Sequence, residues 1–398
     1  MAKAATETTQ QDGEFRTGWP AVLACFCMAL LAWGFGLYGQ SVYLAELTRV
    51  HHWSTGLISA ANTWCWLAGA LAMTRVPGLI ARFGPRAVLI GGSLLIAGGA
   101  WLETRVAAPW QLFAATTIIA LGWAGSSSVA IATTLALWFD RRRGFALSLA
   151  QNGASVAGFT VAPALVALVA AWGLRPAVGA VLAGLLALVL PLLWFALRAP
   201  PLAPQHRPGL QTAALRDPRF WAVSGPFALA MTAQVGFIVH QVPFLLPQLG
   251  PGRTAWVVAA ATLAAVLGRI ALGTVIDRLN QRAAAAASMA LQALGMVLML
   301  ALPAPATLVA GMLLFGVSVG NMITLPPLVV ARAFPPASYA AVVGLNGAVV
   351  QVCFAFGPGL LGLIHDARGG YDAVLATCAA FQLLAAAIML RGARWAAA

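Results

Sequence analysis

The sequence predicts an all-α membrane protein of twelve transmembrane helices, arranged as two six-helix pseudo-symmetric halves. Three observations carry this prediction. The 398 residues are 61% hydrophobic and only 8% charged, whereas soluble domains are roughly a quarter charged. Apolar stretches long enough to cross a bilayer as helices recur from one end of the chain to the other. Short motifs of the first half also return at matching places in the second.

The predicted spans are 20–45, 55–74, 87–103, 110–138, 144–171, 177–197, 220–248, 255–276, 283–302, 306–331, 338–364 and 371–390. Glycine and proline inside them are tolerated where neighbouring helices pack around the break. Of the 23 basic residues, only Arg49, Arg105, Arg175, Arg253 and Arg368 fall in the odd-numbered loops, and Arg269 falls inside a span. The rest lie in the tail 1–19, the even-numbered loops and the C-terminal end, so both termini are expected in the cytoplasm. The tail 1–19 is polar and of mixed charge, without the positively charged region, short apolar run and cleavage site of a signal peptide, and reads as a cytosolic tail. Segment 198–219 holds Pro200, Pro201, Pro204 and Pro208. It reads as a cytoplasmic linker between the halves 20–197 and 220–392, with 393–398 as a second cytoplasmic tail. Lys3 is the only lysine and alanine abounds, which suggests a GC-rich bacterial genome and a bacterial cytoplasmic (inner) membrane.

The net charge of +13 reflects loop arginines beside a lipid bilayer, and no nucleic-acid partner is expected. Cys25, Cys27, Cys65, Cys353 and Cys378 sit in apolar runs without metal or redox spacing. No cofactor and no metal are expected. Paired acids, a His-x-x-x-His pair and a nucleotide-binding Gly-x-x-x-x-Gly-Lys loop do not occur, so an enzyme and an ATP-driven pump are both disfavoured.

The internal echo is specific. Arg82-Phe83-Gly84-Pro85-Arg86 follows the second span, and Arg278-Leu279-Asn280-Gln281-Arg282 follows the eighth. Asn152-Gly153-Ala154 in the fifth span returns as Asn346-Gly347-Ala348 in the eleventh, at nearly the same offset. Duplicated six-helix halves of this kind build transporters whose site lies at the repeat interface near mid-membrane.

Arg269 stands out because it lies inside the run 255–276, about eight residues or roughly 12 Å from Asp277 at helical rise. A charge at that depth costs about 2.5–3.5 kcal/mol on insertion scales and marks a function by default. Each of the ten acidic residues is expected in a tail, in a loop or at a helix end, so the membrane interior is expected to hold no carboxylate. A planar guanidinium suits an organic anion that comes and goes. The competing reading is that Arg269 bonds backbone carbonyls or polar side chains and only stabilises helix packing.

On these residues the chain resembles the major facilitator superfamily. Its cytoplasmic glycine–three residues–Asp-Arg motif is matched by Gly273-Thr274-Val275-Ile276-Asp277-Arg278. The first-half copy, Gly78 to Arg82 and Gly84, has Ala81 in place of the aspartate. The resemblance implies a cytoplasmic gate formed by Arg82, Gly84, Arg86, Gly273, Asp277 and Arg278. Within the superfamily the chain is most similar to the monocarboxylate transporter branch and its oxalate–formate exchange relatives. Arg82 to Arg86 with Gly91-Gly92, Trp138 to Gly144 leading to Asn152-Gly153, and Gly357-Pro358-Gly359 through His365-Asp366 carry this likeness. In that branch an eighth-helix arginine holds the substrate carboxylate, and Arg269 matches it. The branch often has a lysine where Gln40 precedes Ser41, and some members have an aspartate where Ala265 stands. Both groups serve proton coupling there, so proton symport does not transfer with the resemblance.

The expected substrate-binding set is Arg269, Gln40, Tyr38, His240, Ser126 and Asn321, with Tyr38 and Gln40 supplied by the gate-forming first helix of the family. His240 is the interior side chain able to titrate near neutral pH, although a hydrogen-bonded packing histidine fits the sequence equally well. Asn152 and Asn346, each opening a run of small residues, read as structural. The leading expectation is a monomeric secondary transporter of a small organic anion, a monocarboxylate, with protons as a candidate co-substrate. The alternative on the same fold is proton-coupled efflux of drugs or metabolites.

Overall fold

The computed structural model describes residues 2–139, 142–198 and 212–395, with the side chains at 2–13, 212–213, 277, 336–337, 340 and 393–395 left aside. Asp140, Arg141 and the prolines of the expected linker lie outside the described residues. The elements are α1 (Ala2–Trp33), a π turn (Gly34–Tyr38), α2 (Gln40–His51), α3 (Thr55–Met73), α4 (Val76–Glu103), α5 (Pro109–Ser126), α6 (Ser128–Leu135), α7 (Arg143–Trp172) and α8 (Leu174–Ala196). They continue with α9 (Pro218–Val275), α10 (Gln281–Ala301), α11 (Pro305–Val319), α12 (Asn321–Ala333), α13 (Pro336–Ala355), α14 (Gly357–Arg368) and α15 (Asp372–Trp395), with short 3-10 turns before and after α9.

Among the described residues, eleven helices are long and apolar enough to cross a membrane. One of them, α9, is 58 residues long and breaks at Gly250, where φ is 71° and ψ is 170°. The eleven therefore contain the twelve predicted spans. A side chain at such a φ is strained, which is why glycine stands at this reversal. Other spans are interrupted. The first is α1, π turn and α2 in sequence, with the i→i+5 bond from Gly39 N to Gly34 O at 2.7 Å. The fourth breaks at Ser127, which is extended and caps α6 by accepting from Ala130 N. The tenth changes from α11 to α12 at Gly320.

Contacts divide the chain into two compact units, Met1–Tyr43 with Trp64–Arg207, and Leu44–Thr63 with Pro208–Ala398. The stretch 44–63 thus groups with the second unit, although the sequence assigns it to the half 20–197.

The repeat is visible inside each unit as a helix crossing. In the first, a Cβ on Gly99 of α4 would lie 2.9 Å from both Ala115 O and Ile119 N of α5. In the second, a Cβ on Gly295 of α10 would lie 2.6 Å from Gly311 O and 3.1 Å from Phe315 N of α11. The three residues of one crossing match the three of the other at a single offset. Small residues let backbones approach this closely where lipid supplies no hydrophobic drive for association.

Candidate functional site

Arg269 occupies the second arm of α9, and its seat is built by a ladder of small residues. Ala261, Ala265 and Arg269 recur every fourth position and so share one helix face. That face meets Gly316 and Gly320, also four apart. A Cβ on Gly316 would run into Ala261 O, and one on Gly320 would run into Ala265 O. A Cβ on Gly320 would also lie 3.1 Å from Arg269 Cβ and 3.1 Å from Arg269 Nε. The ladder is completed from the other side, since a Cβ on Gly268 would meet Val317 O. The partly buried arginine therefore lies against the junction between α11 and α12, beside backbone that carries no side chain.

Asn321 follows Gly320 and opens α12. It is buried, its Nδ2 donates to Ser288 Oγ at 3.2 Å, and its Oδ1 has no hydrogen-bond partner among the described residues. A hydroxyl can donate or accept, so the opposite amide orientation, with Oδ1 toward Ser288 and the NH2 free to donate, satisfies Ser288 equally. Arg269 and Asn321 are thus brought to one junction.

His240 is fully buried in the first arm of α9. Its Nε2 is 3.1 Å from Pro358 O and 3.2 Å from Ser59 Oγ, and its Nδ1 is 3.4 Å from the Tyr371 hydroxyl. A carbonyl only accepts, so Nε2 carries the hydrogen and Nδ1 accepts from Tyr371. Nε2 thereby ties α9 to α14 and the start of α3, and Nδ1 ties it to the residue before α15. Asp366 caps that start, accepting from Gly56 N at 2.6 Å, and lies 3.3 Å from His365 Nδ1. Burial, and next the Asp366 carboxylate, push the Tyr371 phenol above its ordinary pKa. Tyr371 and His365 join Arg49 and Asp372 around a cavity of about 620 Å³.

In the first unit, Ser126 is fully buried at the end of α5, and its Oγ lies 2.8 Å from where a Cβ on Gly92 would stand. Ser126 closes α5 and Asn321 opens α12, so each stands at the helix junction of its span. Tyr38 ends the π turn and is partly buried. Gln40 is buried, with Nε2 donating to Phe35 O at 3.0 Å and to Glu103 Oε2 at 3.1 Å.

Glu103 adds what the sequence did not show: an acid at a span end that the protein itself buries. It is the last residue of α4, as a span end predicts, yet it is fully buried. Its position beside Thr104 and Arg105 reads as a wet helix end, and only the tertiary contact with Gln40 reveals otherwise. Asn152 is exposed whereas Asn346 is buried, so the repeated asparagines serve unlike surroundings.

At the expected cytoplasmic gate, Gly84 takes φ 80° and ψ 158° and kinks α4 before Pro85. The exposed Arg82 lies 5.1 Å from the Phe83 ring centroid, and Arg86 lies 3.0 Å from that of Trp194 in α8. Gly273 is exposed near the end of α9, and Arg278 is exposed in the 3-10 turn Ile276–Arg278. Asp277 lies in that turn, and its side chain is outside the described residues. Arg282, the counterpart of Arg86, instead donates to Ala222 O at 3.2 Å.

Comparison with known proteins fits these features. The profile of the Major Facilitator Superfamily matches residues 24–254 and 242–394. Monocarboxylate transporter 11 of Mus musculus is 30% identical over 399 residues, covering 92% of this chain and 86% of its own. Monocarboxylate transporter 13 of Bos taurus is 26% identical over 388 residues, covering 94% and 88%. Among solved structures, a bacterial homologue of the human lysosomal transporter Spinster, inward-facing and occupied, aligns with a TM-score of 0.73 at 16% identity, covering 94% of this chain and 96% of that one. That likeness concerns the fold alone.

Proposed function

The chain belongs to the major facilitator superfamily and is a multi-pass membrane transporter of small organic substrates, and on that premise we propose that its cargo is a small organic anion. A monocarboxylate is the preferred class, carried by alternating access with Arg269 holding the carboxylate. One observation carries the reading: a guanidinium inside a span, seated by a ladder of glycine and alanine at the junction of α11 and α12. Arginine stays charged at any physiological pH and its fork matches a carboxylate in two parallel bonds. Each bond to a charged group contributes about 1.5–3 kcal/mol. The names of the two mammalian relatives support the same class. The protein is further proposed to act as a monomer in a bacterial inner membrane, with both termini in the cytoplasm.

The test is uptake of labelled lactate, pyruvate and formate by the purified protein in liposomes. Arg269→Ala should abolish it while leaving the thermal melt in place. Arg269→Lys, which keeps the charge and loses the fork, should retain only a small part. Undiminished uptake by Arg269→Ala would sink the assignment. Transport of apolar cations and of no carboxylate would turn the reading to efflux.

A further inference from the structure

Glu103 is a buried acid for which carboxylate binding at Arg269 has no use. Its Oε2 accepts from Gln40 Nε2, and its Oε1 is buried with no hydrogen-bond partner among the described residues. Among those residues it takes part in no ion pair. Tyr43 of α2 and Cys65 of α3 are ionisable side chains beside it, and Tyr38 stands in the π turn that also packs on α4. The Tyr43 hydroxyl is committed to Ala100 O at 2.7 Å. Of the nearest arginines, Arg105 lies over the Trp101 ring at 4.9 Å, and Arg175 of α8 donates to Thr104 O at 3.0 Å. Helices α5 and α6, also packed on α4, carry no ionisable side chain, and those of α1 other than Cys25 and Cys27 lie in its first half.

An ionised carboxylate in this place would be a buried charge supported by a single neutral donor, whereas the neutral acid avoids that cost. The same Gln40 amide that touches Glu103 also bonds Phe35 O inside the π turn. Single π turns inside α-helices collect at functional sites. The carboxyl is thus tied to an irregular, rearrangeable stretch of the first span through one side chain.

We propose that Glu103 is the proton site of this transporter. It holds a proton on its carboxyl in the arrangement seen here and releases it to water when the Gln40 bridge to the π turn opens. Only an O–H bond forms and breaks. The proposal rests on the transporter reading but not on the identity of the anion.

Infrared difference spectra of the full chain in lipid, taken between acidic and alkaline buffer, test it without any substrate. A neutral-carboxyl C=O band should vanish on alkalinisation and be missing from Glu103→Gln. Gln40→Ala, which leaves the acid in place, should shift the midpoint of that band. A band that persists in Glu103→Gln overturns the proposal, as does a midpoint unmoved in Gln40→Ala. In parallel, an inward proton gradient should raise lactate accumulation several-fold in the wild type and not in Glu103→Gln. Equal gradient-driven accumulation in both proteins also overturns it. Wild-type liposomes that move no lactate at all speak against the cargo assigned at Arg269, while the infrared band still decides Glu103.

Discussion

Replacing Gly320 by alanine puts one methyl group into the tightest part of the Arg269 seat. Gly320 is helical, at φ −63° and ψ −32°, so on backbone grounds alanine should be favoured by about 0.5–1 kcal/mol. The methyl, however, would collide with Ala265 O and crowd Arg269 Cβ and Nε, each at 3.1 Å. A side chain can rotate away, but a carbonyl fixed in a helix cannot, so α11 and α9 must part. Overpacking of this kind costs about 1–3 kcal/mol, which outweighs the propensity gain. If the displaced guanidinium loses one bond to the anion, a further 1.5–3 kcal/mol of binding goes, roughly a ten- to hundredfold rise in KM. The assay is a thermal melt in detergent together with lactate uptake. Gly98→Ala serves as control, because a Cβ there meets nothing within 4 Å and should leave stability equal or raised. A Gly320→Ala protein as stable and as active as Gly98→Ala would refute the ladder as the device that seats Arg269.

Two further outcomes are expected. Gly99→Ala and Gly295→Ala should each destabilise, by about 1–3 kcal/mol, since they break equivalent crossings; a large loss at one and none at the other, in matched melts, would deny the equivalence. Tyr371→Phe should remove a pH dependence: the phenol pKa is raised in the fold, so its stabilisation is whole below the unfolded value of about 10 and declines as pH rises past it. Melts of wild type and Tyr371→Phe across that alkaline range should therefore converge, and parallel curves would speak against it.

The twelve spans, and the place of Arg269 inside the eighth, were legible because both follow from apolar length, which is a local property. The junctions at Ser127 and Gly320 were half legible: Ser126, Ser127 and Ser128 in one span and Gly320-Asn321 in the other are poor helix interiors, and they occupy matching places. The π turn was not, since Gly34, Gly36 and Gly39 permit close packing in a regular helix as readily as in an irregular one. Glu103 escaped because a carboxyl at the end of a span normally reaches water, and what buries it comes from the first span, far away in sequence. The links of His240 to Ser59, Pro358 and Tyr371 were hidden for the same reason. Periodicity reports which face is apolar, not which distant atom fills it.

The glycine–alanine ladder has one consequence for how this transporter could change its cargo. Rungs on a helix face recur once per turn, so the charge cannot be tuned in depth by gradual adjustment. Its next seat along the same face lies four residues away, about 6 Å at helical rise, at Ala265 or Gly273. Fitting a longer or shorter anion must therefore come from the walls around a fixed post. Divergence in specificity should accumulate in the residues opposite Arg269 while the post and its rungs stay put.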